Sequence, residues 1–160
     1  MRHATAACLA AILALPAWAG AEDHADHRAE LGGLRALHAW TPASDAAETL
    51  VFVELRNEGS DPVTLTGGRT DAARAVTLVG FRLIDGAPGH EPVGPVPIAP
   101  GHRLHLEPDG LALRLAGLIA PLREGDTLAL DLTTSLGTLA IQIAVEPPGA
   151  TAHPHAGHSH

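Results

Sequence analysis

Between Ile98 and Leu132 leucine recurs at every second position, at Leu104 and Leu106, at Leu111, Leu113 and Leu115, and at Leu128, Leu130 and Leu132. A period of two places these side chains on one face of an extended chain. A helix would need a period of 3.6, so the stretch is confined to half-buried strands. Pro100-Gly101, Pro108-Asp109-Gly110 and Glu124-Gly125-Asp126 interrupt the alternation with residues that favour turns. The pattern predicts three strands joined by turns, the middle of an antiparallel β unit.

The flanking segments extend that reading. Leu34 to Trp40, Thr49 to Arg56, Val63 to Thr66, Ala75 to Ile84 and Thr138 to Val145 each carry alternating or β-branched apolar residues. The turn cluster Asn57 to Pro62 predicts a hairpin between the second and third of these. His38, beside Trp40, is expected to be a partly buried strand residue. Pro88, Pro92, Pro95, Pro97 and Pro100 exclude a central strand and predict an extended surface connection. About eight short strands without a long helix define an all-β fold, an antiparallel β-sandwich of immunoglobulin-like kind over residues 32–146.

Two Phe, two Trp and no Tyr leave the core to Leu, Val, Ile and Ala. Formal charge is −8, with 10 Lys and Arg against 18 Asp and Glu, and there is no basic patch to attract nucleic acid. Residues 1–21 read as a signal peptide, with Arg2 and His3, an apolar run from Ala4 to Leu15, and small residues from Pro16 to Ala21. That run is too short for a permanent membrane anchor. The single Cys8 lies inside it, which argues against lipid attachment and leaves no disulfide after export. A monomeric periplasmic protein is expected.

Histidine is over-represented at 11, about three times ordinary usage. His153, His155, His158 and His160 crowd the tail, residues 147–160, which Pro154 and Gly157 keep pliable. Interleaved imidazoles of this kind suit a divalent ion, and Cu(II) outbinds Ni(II) and Zn(II) at equal donors. The arm, residues 22–31, carries His24 and His27. Cleavage after Ala21 would leave Glu22-Asp23-His24 as an amine, amide and imidazole set for Cu(II), whereas cleavage after Ala19 would destroy it. His90 lies in the proline-rich connection and is a candidate to join a tail histidine. His102 and His105, three apart, are expected on opposite faces as surface imidazoles. No spacing suggests a catalytic triad or carboxylate pair, so no enzyme is predicted.

Ala39-Trp40, Leu55-Arg56-Asn57-Glu58-Gly59 and above all Gly117-Leu118-Ile119-Ala120-Pro121-Leu122-Arg123-Glu124-Gly125-Asp126 resemble motifs of the periplasmic copper chaperone family PCu(A)C. The resemblance spans Leu34 to Val145 and implies a cupredoxin-like β-sandwich. It also implies a Cu(I) site of two His and two Met, at places that here hold Val79, His90, Ala112 and Arg114. Only His90 among them is a donor, and Cu(I) prefers thioether and imidazole. A degenerate Cu(I) site is therefore expected.

The family implies copper delivery, with a respiratory cytochrome oxidase or its assembly proteins as recipient. Copper binding through the histidine-rich ends, as Cu(II) rather than Cu(I), is the first expectation. The alternatives are zinc or nickel binding by the same ends, or a metal-free interaction module whose apolar contact surface includes Val79, Phe81, Ala112 and Leu113.

Overall fold

A computed structural model describes residues 29–151. Within them the chain forms eleven strands, β1 (Ala29–Leu31), β2 (Leu34–Pro42), β3 (Glu48–Asn57), β4 (Val63–Arg69), β5 (Ala73–Ile84), β6 (Ala87–Pro92), β7 (Val96–Ile98), β8 (Arg103–Leu106), β9 (Leu111–Leu118), β10 (Thr127–Thr134) and β11 (Gly137–Glu146). They pair in the order β6-β5-β9-β8-β3-β2-β11-β10-β4-β7, with β1 on β2, as one path folded into an open sandwich. No helix among the described residues is long and apolar enough to cross a membrane.

The alternating leucines supply the interior. Leu113 and Leu115 of β9 meet Leu130 and Leu132 of β10, with Leu34, Leu55, Leu65 and Ile143, all at most 1% exposed. Burying each such side chain stabilises the fold by about 1.5–3 kcal/mol before chain entropy is charged against it.

Connectivity departs from the expected order in several places. β8, β9 and β10 do not form a three-stranded meander. β8 and β9 both pair with β3, and β10 pairs with β11 and β4. Nor do β3 and β4 form a hairpin, because β4 pairs with β10 and β7 in the other half of the sandwich. The side chain of Asn57 makes that crossover possible. Fully buried, it donates from Nδ2 to the carbonyls of Asp61 (2.8 Å) and Ile98 (3.0 Å) and accepts at Oδ1 from the Gly59 amide (3.0 Å). Buried backbone groups at the crossing are thereby satisfied. Gly33, at φ +85°, passes so close that a Cβ there would lie 2.8 Å from the Gly59 nitrogen.

The proline-rich segment contains two short strands, β6 and β7, joined by the non-strand residues 93–95, and it keeps the prolines off the centre. β6 holds Pro88 and Pro92, β7 holds Pro97, and these two strands end the pairing path. Proline on an edge strand blunts further pairing. The last three residues of the arm given as residues 22–31, Ala29–Leu31, are strand, antiparallel to β2.

The run Gly117 to Asp126 carries the chain from one half to the other. Ser44 and Leu122 exchange two backbone hydrogen bonds (3.0 and 2.9 Å), Gly125 N–H donates to Val145, and Asp126 accepts from the Val145 amide (both 2.9 Å). Asp126 Oδ2 accepts from the Arg123 amide at 3.1 Å, closing the turn. These residues are recognisable because they build the crossover.

Candidate metal centre

The sandwich has a second, smaller core on the outer face of its β3, β9 and β5 strands. Along β5, Leu78 points into the interior and Val79 points out, so the outward position should be wet. It is instead completely buried, as is its cross-strand partner Ala112. Trp40 and Phe52, opposite each other on β2 and β3, complete the cluster with ring centroids 4.7 Å apart at 45°. Leu50 and Ala150 pack against it. Ala150 arrives there through the turn Pro147 to Ala150, in which its amide donates to the Pro147 carbonyl (3.1 Å) and Gly149 takes φ +76°.

Two further residues border this cluster. His90 on β6 lies opposite Phe81 on β5, with the rings edge to face at 5.7 Å and 74°. Its Nε2 is 3.1 Å from the Pro108 carbonyl. Arg114 on β9 donates from Nη2 to the His90 carbonyl at 2.6 Å. The fold thus brings Val79, His90, Ala112 and Arg114 together on the adjacent strands β6, β5 and β9.

Together they offer a cation one imidazole, two alkyl groups and a guanidinium. Copper needs nitrogen, sulfur or oxygen lone pairs, and the guanidinium has none and carries like charge. The four side chains do not fit a bound copper ion. Among the described residues no group of three or more His, Cys, Asp or Glu could hold a metal.

The other internal histidines are scattered. His38 is exposed and left-handed, φ +53°, where the β2–β3 register shifts, which corrects its expected place as a partly buried strand residue. The bulge turns its side chain outward. His102 precedes β8 and its Nδ1 lies 3.0 Å from the Pro100 carbonyl, while His105 stands opposite Glu54. Both are exposed. Leu113, expected beside Val79 and Ala112 on one apolar surface, faces the main interior. The candidate ligands His24, His27, His153, His155, His158 and His160 lie outside the described residues, as do the expected signal peptide, residues 1–21, and Cys8.

Sequence reading missed Ala150. A lone alanine after Pro147-Pro148-Gly149 carries no signal, although the turn residues mark a chain reversal that returns it to the sheet.

Comparison with known proteins fits this architecture. The family described as "Putative lipoprotein LpqE-like" matches residues 34–145. "Putative lipoprotein Lxx21020" of Leifsonia xyli subsp. xyli (strain CTCB07) is 31% identical over 107 residues, 66% of this chain; the chain spans 64% of that relative's length. Among solved structures, the copper-bound PCuAC domain from PmoF2 superposes with a TM-score of 0.63 at 21% identity, covering 76% of this chain and 99% of that one. The apo PCuAC domain from PmoF1 gives 0.65 at 21%, covering 76% and 100%. The solution structure of CuI-DR1885 from Deinococcus radiodurans gives 0.54 at 24%, covering 79% and 85%. The sandwich has the PCuAC fold, and by the match over residues 34–145 the chain belongs to the LpqE-like family.

Proposed function

We infer that this is an exported copper-binding protein of the chaperone type, whose sandwich carries no copper of its own and whose histidine-rich ends take up the ion as Cu(II). The observation that carries the reading is the combination of a PCuAC fold with Val79 and Ala112, both wholly buried, at two of the four places where the resemblance puts ligands. Copper chemistry then falls to the imidazoles, four of them between His153 and His160. Neutral imidazole on a short segment closes around Cu(II) in preference to Zn(II) or Ni(II). His24 and His27 form a lesser site. The periplasm is the proposed compartment, in keeping with the lipoprotein names of the relatives, and a copper centre of a respiratory oxidase, or its assembly protein, is the proposed recipient. The protein acts as a monomer and catalyses nothing.

An interaction module without metal is the second reading, favoured by the apolar filling of the outer face. Val79 and Ala112 are too deeply covered to form its contact surface. Cu(II) titration of the intact chain beside one ending at Thr151 decides between the two. The cut is placed there because Ala150 belongs to the outer cluster. Tight uptake that truncation abolishes supports the copper reading; no uptake by either chain beyond that of free histidine overturns it.

A further inference from the structure

We infer that both ends of the pairing path are closed to a further strand, and that Arg114, at a place where the resemblance puts a copper ligand, is the clamp that closes one of them. The inference is independent of the copper reading. The partner it excludes is a second copy of this chain, paired edge to edge.

An edge strand adds a neighbour through the N–H and C=O groups that point away from its own sheet. In antiparallel pairing these alternate with groups already bonded, so the register tells which residues face out. The Val93 amide, just past β6, donates to Leu78 of β5 (3.0 Å), whereas the Phe81 amide of β5 donates the other way, to Gly110 (2.8 Å). Glu91, Gly89 and Ala87, opposite Gly80, Arg82 and Ile84, therefore bond to β5, and Pro88, His90 and Pro92 face out. At the other end Thr64 of β4 turns its amide and carbonyl to Ser135 (3.0 and 2.9 Å). Val63 and Leu65 then bond to β7, and Pro97, opposite Thr64, faces out.

Proline has no N–H to offer. Of the outward residues on β6 and β7 only His90 has both groups, and its carbonyl accepts from Arg114 Nη2 at 2.6 Å. β5 lies between β9 and β6, so this bond requires β6 to curl over the outer face. There the His90 Nε2 also lies 3.1 Å from the Pro108 carbonyl. Gly80 permits the curl, since a Cβ at that position would lie 3.1 Å from the Val93 side chain. Arg114 forms no ion pair among the described residues, which leaves its guanidinium to this carbonyl. A closely bonded antiparallel pair takes both the N–H and the C=O of one residue. No outward residue on either terminal strand has both to give.

The test compares the intact chain with Pro88→Thr/Pro92→Thr, which restores two outward amides at exposed positions, and with the same pair plus Arg114→Leu. Sedimentation velocity over a concentration series reads association, and circular dichroism checks the fold. The intact chain should remain a monomer and the proline variant should dimerise. Arg114→Leu should tighten that dimer about tenfold, because the freed carbonyl gains a partner. A folded proline variant that stays as monomeric as the intact chain would overturn the closed edge. A dimer indifferent to Arg114→Leu would overturn the clamp. NMR of the unmutated chain tests the clamp without any substitution. The Arg114 Nη2 protons should exchange slowly and resolve from those of Nη1, and a single averaged signal from a freely turning guanidinium would overturn it.

Discussion

The interior between the two halves of the sandwich and the cluster on its outer face are both dry, but they are made differently. The interior is aliphatic, built from Leu, Val, Ile and Ala that alternate along nearly every strand. The outer face holds the aromatic residues of the described chain, Trp40, Phe52 and Phe81, around the small pair Val79 and Ala112. An alternating strand should leave its second face to water. Here Leu50-Val51-Phe52-Val53, Leu78-Val79 and Leu111-Ala112-Leu113 are unbroken apolar runs, so three neighbouring strands are covered on both sides. Where copper-binding PCuAC domains supply the fold, this chain has put packing where its resemblance to PCu(A)C places ligands.

If the two regions are equally true cores, truncation in either should be costly. Leu115→Ala, in the interior, is expected to lose about 3–4 kcal/mol of unfolding free energy by denaturant titration. A loss under about 1 kcal/mol would mean that the interior collapses around the gap. Phe52→Ala on the outer face should lose about 3 kcal/mol. A value near that of a surface substitution, within about 0.5 kcal/mol, would reduce the cluster to a loosely covered patch.

Copper uptake should follow the imidazoles rather than either core. Protonation removes the donor lone pair, and an ordinary imidazole titrates near 6.5. Cu(II) affinity should therefore fall about tenfold, per histidine that must be neutral, between pH 7.5 and pH 5.5. Uptake that holds constant over that range would exclude histidine as the principal ligand. At the other extreme, Arg69→Ala breaks an ion pair of 3.2 Å with Asp131 in which Arg69 is 82% exposed. Such pairs contribute little, so the change should stay within about 0.5 kcal/mol.

The strands themselves were legible because alternation reports which face is buried, and turn residues report where each strand stops. Their pairing was not. The hairpin expected across Asn57 to Pro62 follows from a rule of proximity, whereas the chain crosses to the other half because one buried amide bonds to Asp61 and to Ile98, 41 residues away. Nothing local in the sequence encodes that partner. The proline-rich segment was rightly kept from the centre of a sheet, yet edge strands tolerate proline, and β6 and β7 form there.

The site was partly legible. The places of Val79, His90, Ala112 and Arg114 followed from resemblance, and the strand register brings them together. That Val79 and Ala112 are sealed, and that Ala150 helps to seal them, follows only from packing. His38 in a left-handed conformation was hidden for a related reason, since a bulge is a property of two strands.

The most direct test of the central claim is a Cu(I) competition titration of the chain ending at Thr151, which keeps the whole sandwich and lacks His153, His155, His158 and His160. The expected result is no copper retained against a moderate Cu(I) chelator, with the fold intact by circular dichroism. One Cu(I) held tightly per chain would contradict the account, because the outer face would then be a working metal site despite Val79, Ala112 and Arg114.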